Sequence, residues 1–583
     1  MIRIKDHKQL DMFDPWDFLS PKRRRMLDEG WPGLFRSELL CELPVNEICP
    51  FLREDFGRPS KELYTLLGVL LLQQTMDLAD DDAIEQVAFN IQWHYALNIT
   101  EDSDSAKYIS EKTLWSWRQI LIENNLDQLM FENIGDKLAK VFNVNTDKQR
   151  IDSVHIKSNM RRLGRIGIFS QTINKFLVNL KRHHRDLFDT VSPQVLDRYA
   201  SKKALAAFSL VKPSAAEKTL KTVSGELFDL IEQFKDHSKV CEMHSYKLMQ
   251  RVLNEQCNVD SSNEGPKVKM KKPKEIPSDS LQNPSDPDAT YSGHKGQGYQ
   301  VQVMETFTET GDKDKKEQTL NLVTHVSVER ACEHDSGALV PAIEDTQNRG
   351  LGPSTVLADT LYGSDDNVVA AKAVEVELIA PTAKGGNTGP IELSQFDFNQ
   401  KKRVTVCPQG HAPEKVKYKK KKDRYSACFE VDCCSNCADV DRCRVQRGKK
   451  HYYLRYSSKD YRLAVRRSIE STDEFVDAYR WRAGVEAAMS EYNTLTGVKR
   501  LRVRGFKAVR YCATLKAAGL NLLRAARVRR ARMRAEQTPK GRTSSFCMLF
   551  PIIKERIWNF FSNLGKLSTA QPFGADSYYE LAA

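Results

Sequence analysis

The spacing of hydrophobic and polar positions changes several times along the chain. Glu62-Leu-Tyr-Thr-Leu-Leu-Gly-Val-Leu-Leu-Leu-Gln-Gln-Thr75 is apolar on most faces and predicts a buried helix. Further helices are predicted at Asp82–Tyr95 and, after the start signals at Ser110 to Thr113, at Leu114–Glu123. The period then drops to two: in Arg150–Ser158, Asp152, Val154 and Ile156 alternate onto one side of a strand. From Gln171 to about Asn258 it is helical again, with apolar repeats at Leu177/Leu180, Leu205/Phe208 and Leu227/Ile231. Lys267–Ser285 is polar and rich in Lys and Pro, reading as a linker or an extended crossing segment. Alternation resumes at Gly298-Tyr-Gln-Val-Gln-Val-Met-Glu and Leu320-Asn-Leu-Val-Thr-His-Val-Ser-Val. Next come a helix at Ala338–Gln347, a short buried strand at Ser354–Asp359, a helix capped by Ser364 and a strand at Val374–Ala380.

A helix is also predicted over Asp473–Asn493, where Tyr479, Arg482 and Glu486 stand three and four residues apart. At about 100° per residue they share one face. Ser471 with Glu474 reads as a capping box at its start, and Gly497 is placed to end it. Ala508–Ala535 predicts a strongly basic last helix.

These changes divide the chain into an all-helical region at 1–145 and the first part of an α/β region at 146–384, with a helical insertion at 171–258 and a linker at 265–290. Then come a Cys-rich insertion at 385–455, two helices within 456–535 and a tail at 536–583 without clear signal. At 583 residues, three or four domains agree with a usual size of about 100–200 residues each.

Charge adds a partner. Lys plus Arg number 89 against 77 Asp plus Glu, a net +12, with the excess concentrated in Lys419–Lys422 and Arg524–Arg534. That favours an anionic partner, most simply nucleic acid, over a merely solvated basic surface. No segment approaches the roughly 18 apolar residues of a membrane span, and Met-Ile-Arg-Ile-Lys-Asp lacks the core of a signal peptide. The expectation is a soluble, cytoplasmic protein.

Thirteen cysteines, five of them within 428–443, suggest reduced thiols rather than a disulfide framework. Cys407-Pro-Gln-Gly, Cys434-Ser-Asn-Cys437 and Cys443 supply two halves of a zinc ribbon, because thiolates two residues apart suit tetrahedral Zn²⁺. Cys433, Cys428 and His411 compete as ligands, and reduced structural cysteines are the alternative.

Three acids stand out: Asp152 on the first strand, Asp359 at the end of a later one, and Glu486 on the helix. Adjoining central strands would bring the aspartates together, and a helix across the sheet would add the glutamate. Such a trio suits hard divalent cations, Mg²⁺ or Mn²⁺, which keep sites for water and phosphate. In the helical region, Trp115, Trp117 and Arg118 suit either a DNA-reading helix-turn-helix or a packed tryptophan core. The arginines of 524–534 suit either phosphate contacts or a solvated face.

Asp152-Ser-Val-His-Ile-Lys-Ser-Asn-Met, Leu357-Ala-Asp-Thr-Leu-Tyr-Gly and Tyr479-Arg-Trp-Arg-Ala-Gly-Val-Glu-Ala-Ala-Met-Ser-Glu-Tyr-Asn resemble the three catalytic blocks of DDE transposases from bacterial insertion sequences. The resemblance is closest to the branch with a Tyr-Arg-Glu third block and spans roughly 60–530. It implies an α/β, ribonuclease-H-like mixed sheet flanked by helices, with Asp152, Asp359 and Glu486 binding Mg²⁺ or Mn²⁺. It implies, further, metal-dependent cleavage at the element's ends and transfer of the freed 3′-hydroxyl into target DNA. The implied partners are double-stranded DNA, as terminal inverted repeats and target, and further copies of the chain; the implied place is the nucleoid. Tyr479 and Arg482 correspond to accessory residues, Arg482 meeting a phosphate near the cut. Where the family often has a lysine seven residues after the glutamate, this chain has Asn493, and Lys499 or Arg500 would take over the phosphate contact. A catalytically inactive DNA-binding regulator and a nuclease that cuts without joining are the competing functions.

Overall fold

A computed structural model describes residues 2–9, 14–52, 60–262, 265–383 and 391–537. Most of the tail at 536–583, and the start of the Cys-rich insertion, lie outside them. The chain divides into compact units at 1–529 and 530–583, and all the described strands belong to the first.

The amino-terminal region is helical. In Leu63–Thr75 nearly every side chain is buried, and the Glu62 carboxylate caps its start by accepting from the Tyr64 and Thr65 amides. Glu111–Glu123 begins at Ser110, whose Oγ accepts from Thr113 N, and Leu126–Phe142 comes next. Between the two readings of Trp115, Trp117 and Arg118, packing decides for the core at two positions. Trp117 is buried and Arg118 donates to Asp80 and Gln73, leaving only Trp115 exposed.

The strands, in chain order, are β1 (Lys148–Lys157), β2 (Cys257–Ser262), β3 (Gly265–Met270), β4 (Thr290–Ser292), β5 (Gly296–Thr306), β6 (Val323–Arg330), β7 (Thr355–Leu357) and β8 (Glu377–Ile379). In the Cys-rich part they are β9 (Asp397–Phe398), β10 (Val404–Val406), β11 (Lys415–Lys419), β12 (Arg424–Phe429), β13 (Gln446–Arg447) and β14 (Tyr452–Tyr456). The central six-stranded sheet is mixed. β1 runs antiparallel to β5 and parallel to β7, β7 is parallel to β8, and β4 and β6 both pair with β5.

Alternation along β1 sends its side chains to two cores. Ile151 joins Leu339, Ile343, Val356 and Tyr362 on one face. Val154 and Ile156 join Val485, Met489 and Leu515 on the other, together with the amino-terminal helices. The face bearing Asp152 is therefore the one packed by the helix of Glu486.

Between β1 and β5 a helical layer, Arg165 to Gln256, has its own core around Phe169, Phe176, Leu227, Phe234 and Met249. The segment read as a linker is structured in part. β3 pairs with β2, and Val268 and Met270 pack on this helical core. Beyond it the chain crosses not in extended form but through a 3₁₀ turn at Pro273–Glu275 and a series of tight turns, where Asp286 accepts from Ser158 Oγ and Tyr299 OH.

The last helix, Phe506–Gln537, is less a solvated face than a core element up to Arg529. Tyr511, Leu515, Leu520 and Leu522 are buried, and Arg524, one of the arginines read as a phosphate contact, is turned inward. It donates to Glu305 and Glu491, so its charge is already spoken for.

Candidate active site

Parallel pairing of β1 with β7 sets Arg150 opposite Leu357. Two residues on, Asp152 and Asp359 leave this ladder side by side on the same face, since side-chain direction repeats every second residue. Asp359 sits just past the strand end, where its Oδ1 accepts from Leu361 N at 2.8 Å.

Across them lies the guanidinium of Arg482. Its Nη2 is 2.9 Å from Asp152 Oδ2 and 3.9 Å from Asp359 Oδ2, and its Nη1 is 3.6 Å from Glu486 Oε1. One cation thus gathers all three acids. Burial pushes the Asp152 carboxyl above its ordinary range, with Arg482 and the Ser153 amide opposing that shift and Asp359 adding to it. Glu486 is the freest of the three, with 76% of its side chain exposed. Half-buried Tyr479 stacks on Phe475, and burial raises its phenol.

The helix predicted as one piece over 473–493 is broken. Asp473–Tyr479 is α-helical, Arg480–Ala483 is a 3₁₀ turn, and Gly484–Thr496 is α-helical again. Its cap is Thr472, accepting from Phe475 N, rather than Ser471. Gly497 ends it as expected, at φ +68°. The break has a visible cause in Arg150. From β1 its Nη1 donates to the Trp481 carbonyl at 2.8 Å, while Nε and Nη2 hold Glu305. A Cβ at Gly484 would collide with that guanidinium, so the glycine leaves room for the strand to grip the turn.

Further along β1 and the helix of Glu486 opens a cavity of about 860 Å³, lined by Asp77, Ser153, His155, Lys157, Lys295, Asn493, Lys499 and Arg500. Asn493 does not face it as a cation but serves the loop, its Oδ1 accepting from Lys499 N at 3.2 Å. The Lys499 carbonyl in turn accepts from Lys157 N. Lys295, which the sequence did not single out, donates to Ser153 Oγ at 2.8 Å and faces Asp335 at 3.7 Å. Asp335 is a buried acid held by Gln302. Neither has a motif of its own; position on the sheet alone brings them here.

The acid cluster fits a divalent cation by donor chemistry: it offers only carboxylate oxygens, already converging on a positive group. Among the described residues no three His, Cys, Asp or Glu side chains are close enough, as they stand, to hold one ion together. In the acid cluster Arg482 fills the centre. The same statement covers the thiols, although Cys407, Cys434, Cys437 and Cys443 line one small cavity with His411 and Cys433. There the His411 amide donates to Cys407 Sγ at 3.4 Å. Cys428 is not among the lining residues, since β12 turns it to the opposite face of its sheet.

No helix among the described residues is long and apolar enough to cross a membrane. Comparison with known families gives two matches: residues 406–526 fit a transposase DDE domain and residues 38–120 fit the transposase domain DUF772. No curated protein matches the chain. The first match contains Glu486 and Arg482 and the second covers the helix at 63–75 and most of the one at 111–123, and together they support a DDE transposase of an insertion element.

Proposed function

We propose that this protein is the transposase of an insertion sequence, which binds terminal inverted repeats and catalyses metal-dependent cleavage and strand transfer on a ribonuclease-H-like core. The observation that carries this reading is the convergence of Asp152, Asp359 and Glu486, from two strands and a helix, on the single guanidinium of Arg482. Solvated acids far apart in sequence have no reason to meet on one face of a sheet.

In this reading the three carboxylates hold Mg²⁺ or Mn²⁺. Bound there, the metal supplies activation of the attacking water or 3′-hydroxyl and stabilisation of the leaving oxygen. Arg482 then turns from the acids to the phosphate at the cut. Its buried Nε, without an acceptor among the described residues, provides a further donor for a phosphate oxygen. Lys295, Lys499 and Arg500 line the cavity along which the DNA backbone would run, their charges positioning the duplex without reading sequence. Tyr479 flanks the same phosphate. The helices of 1–145 serve as the DNA-binding region, and the active form is an oligomer on paired ends.

The cysteine insertion is proposed to hold one structural Zn²⁺ through Cys407, Cys434, Cys437 and Cys443. These thiols line one cavity, and thiolates two residues apart suit tetrahedral Zn²⁺.

The test is to incubate the protein with Mg²⁺ and duplexes carrying the element's terminal repeats, then score nicked ends and joined products. Both are expected. Binding without cleavage would identify a regulator, and cleavage without joining a nuclease. Asp152→Asn, Asp359→Asn and Glu486→Gln should each abolish cleavage with DNA binding retained. Retained cleavage in any one removes that residue from the triad.

A further inference from the structure

The Cys-rich insertion carries a surface that the catalytic reading leaves unused. Its four-stranded antiparallel sheet has the order β11-β12-β14-β13. Val416, Tyr425, Ala427, Phe429, Leu454 and Tyr456 point to one face and form the insertion's core with the cavity of thiols. Register fixes what points the other way. Lys415 pairs with Cys428, Lys417 with Ser426 and Lys419 with Arg424, and Ser426 pairs in turn with Arg455. The outer face therefore carries Lys415, Lys417, Lys419, Arg424 and Arg455, all exposed.

That face has no compensating charge. The four strands contain no Asp or Glu at all. The acids that flank them are engaged elsewhere: Glu414 with His451, Asp423 with Ser458 and the Tyr418 hydroxyl, and Glu430 with the Cys433 thiol. Among the described residues none of these five cations has a carboxylate in ion-pair contact. Gathering like charges on a rigid sheet is unfavourable unless an anionic partner neutralises them.

We propose that this outer face, separate from the acid cluster, binds the phosphate backbone of duplex DNA. The inference rests on the reading of the protein as a DNA transposase, and it adds a second DNA contact to it. Alternate residues along a strand lie about 7 Å apart. Lys415, Lys417 and Lys419 therefore present a line of three cations to the phosphates of a DNA backbone laid along β11. Arg455 and Arg424, one or two strands across, widen the footprint. Tyr453, beneath the Arg455 guanidinium, keeps that side chain extended over the sheet. Long cationic side chains on a flat sheet reach phosphates rather than base edges, so the contact is independent of base sequence.

The experiment measures affinity of the full chain for a 30-base-pair duplex unrelated to the element's ends, by fluorescence anisotropy across a salt series without divalent metal. The wild type is compared with Lys415→Gln/Lys417→Gln/Lys419→Gln and with the matching triple Lys→Arg variant. Loss of three phosphate contacts should make the slope of log affinity against log salt shallower by about 2.7 and weaken binding roughly tenfold or more at low salt. The Arg variant should restore both, which a folding defect in the Gln variant would not mimic. If the wild type binds and the Gln variant binds with the same slope, the surface inference is overturned and the transposase reading stands. If the wild type fails to bind any duplex, that reading fails first. If the Gln variant loses binding to polyglutamate but not to DNA, the face serves an acidic protein and the inference is likewise overturned.

Discussion

Arg482 holds together three carboxylates that would otherwise repel one another, at 2.9, 3.9 and 3.6 Å. In the proposed function, a divalent cation entering the cluster would replace this side chain as the counter-charge and free it for a phosphate. Asn493 shows the same economy. Its Oδ1 holds the Lys499 amide, so Asn493→Lys, which would supply the cation expected at this position, also removes the acceptor that shapes the loop. We expect both Asn493→Lys and Asn493→Ala to weaken DNA binding, by about 0.5–1.5 kcal/mol for the lost hydrogen bond, read by anisotropy without metal. A gain in affinity for Asn493→Lys would show that the cation matters more than the loop.

His155 gives a pH dependence with a definite sign. Burial, assisted by Lys295 and Lys157, lowers its imidazole to about 4, against the opposing pull of the backbone at Gln297 and Tyr299. Its folded pKa lies below the unfolded value near 6.5, so the unfolded chain binds the extra proton and stability falls as pH drops from about 6.5 towards 4. In His155→Leu that part of the decline should vanish. Equal pH slopes of melting temperature for the two proteins over this window would refute the assignment.

Among elements, the two halves of the helix that carries Arg482 and Glu486 depend on a strand. Arg150 grips the Trp481 carbonyl from β1, and Gly484 is the residue that lets it approach. Gly484→Ala should cost about 1–3 kcal/mol through overpacking and lower cleavage by shifting Arg482 and Glu486 against the aspartates. Unfolding and cleavage assays on the same preparation check both effects. Arg524→Ala separates the two readings of the last helix. A phosphate contact would cost affinity alone, whereas removal of one partner from the buried Arg524–Glu305 pair should destabilise the fold by about 3–5 kcal/mol. A melting temperature equal to that of the wild type would return Arg524 to the DNA-binding surface.

On the scale of the molecule, the insertion is tied to the catalytic sheet through the helix Ser458–Glu470. Arg462 pairs with Asp365, and Arg466 donates to the carbonyls of Gly363 and Ala380, next to the strand end that bears Asp359. Order in the cysteine sheet should therefore matter to the active site. Metal analysis of the purified protein should find one zinc per chain, and chelation should lower both thermal stability and cleavage. A ratio well below one sinks the zinc proposal.

Local pattern was enough for most of the architecture. Period two over 150–158, Ser110 and Ser364 as caps, and Gly497 as a helix end are decided by neighbours within a few residues, and the structure has them all. The three acidic blocks stood out because their chemistry is carried by short, ordered motifs. What the sequence could not determine depends on partners far along the chain. The helix break at 480–483 needs a guanidinium more than 300 residues away. Lys295 and Asp335 become neighbours of the site only through strand pairing, and Arg524 is inward because Glu305 and Glu491 meet it there. Periodicity reports which face of an element is apolar. Only the packed sheet decides which charges that face will meet.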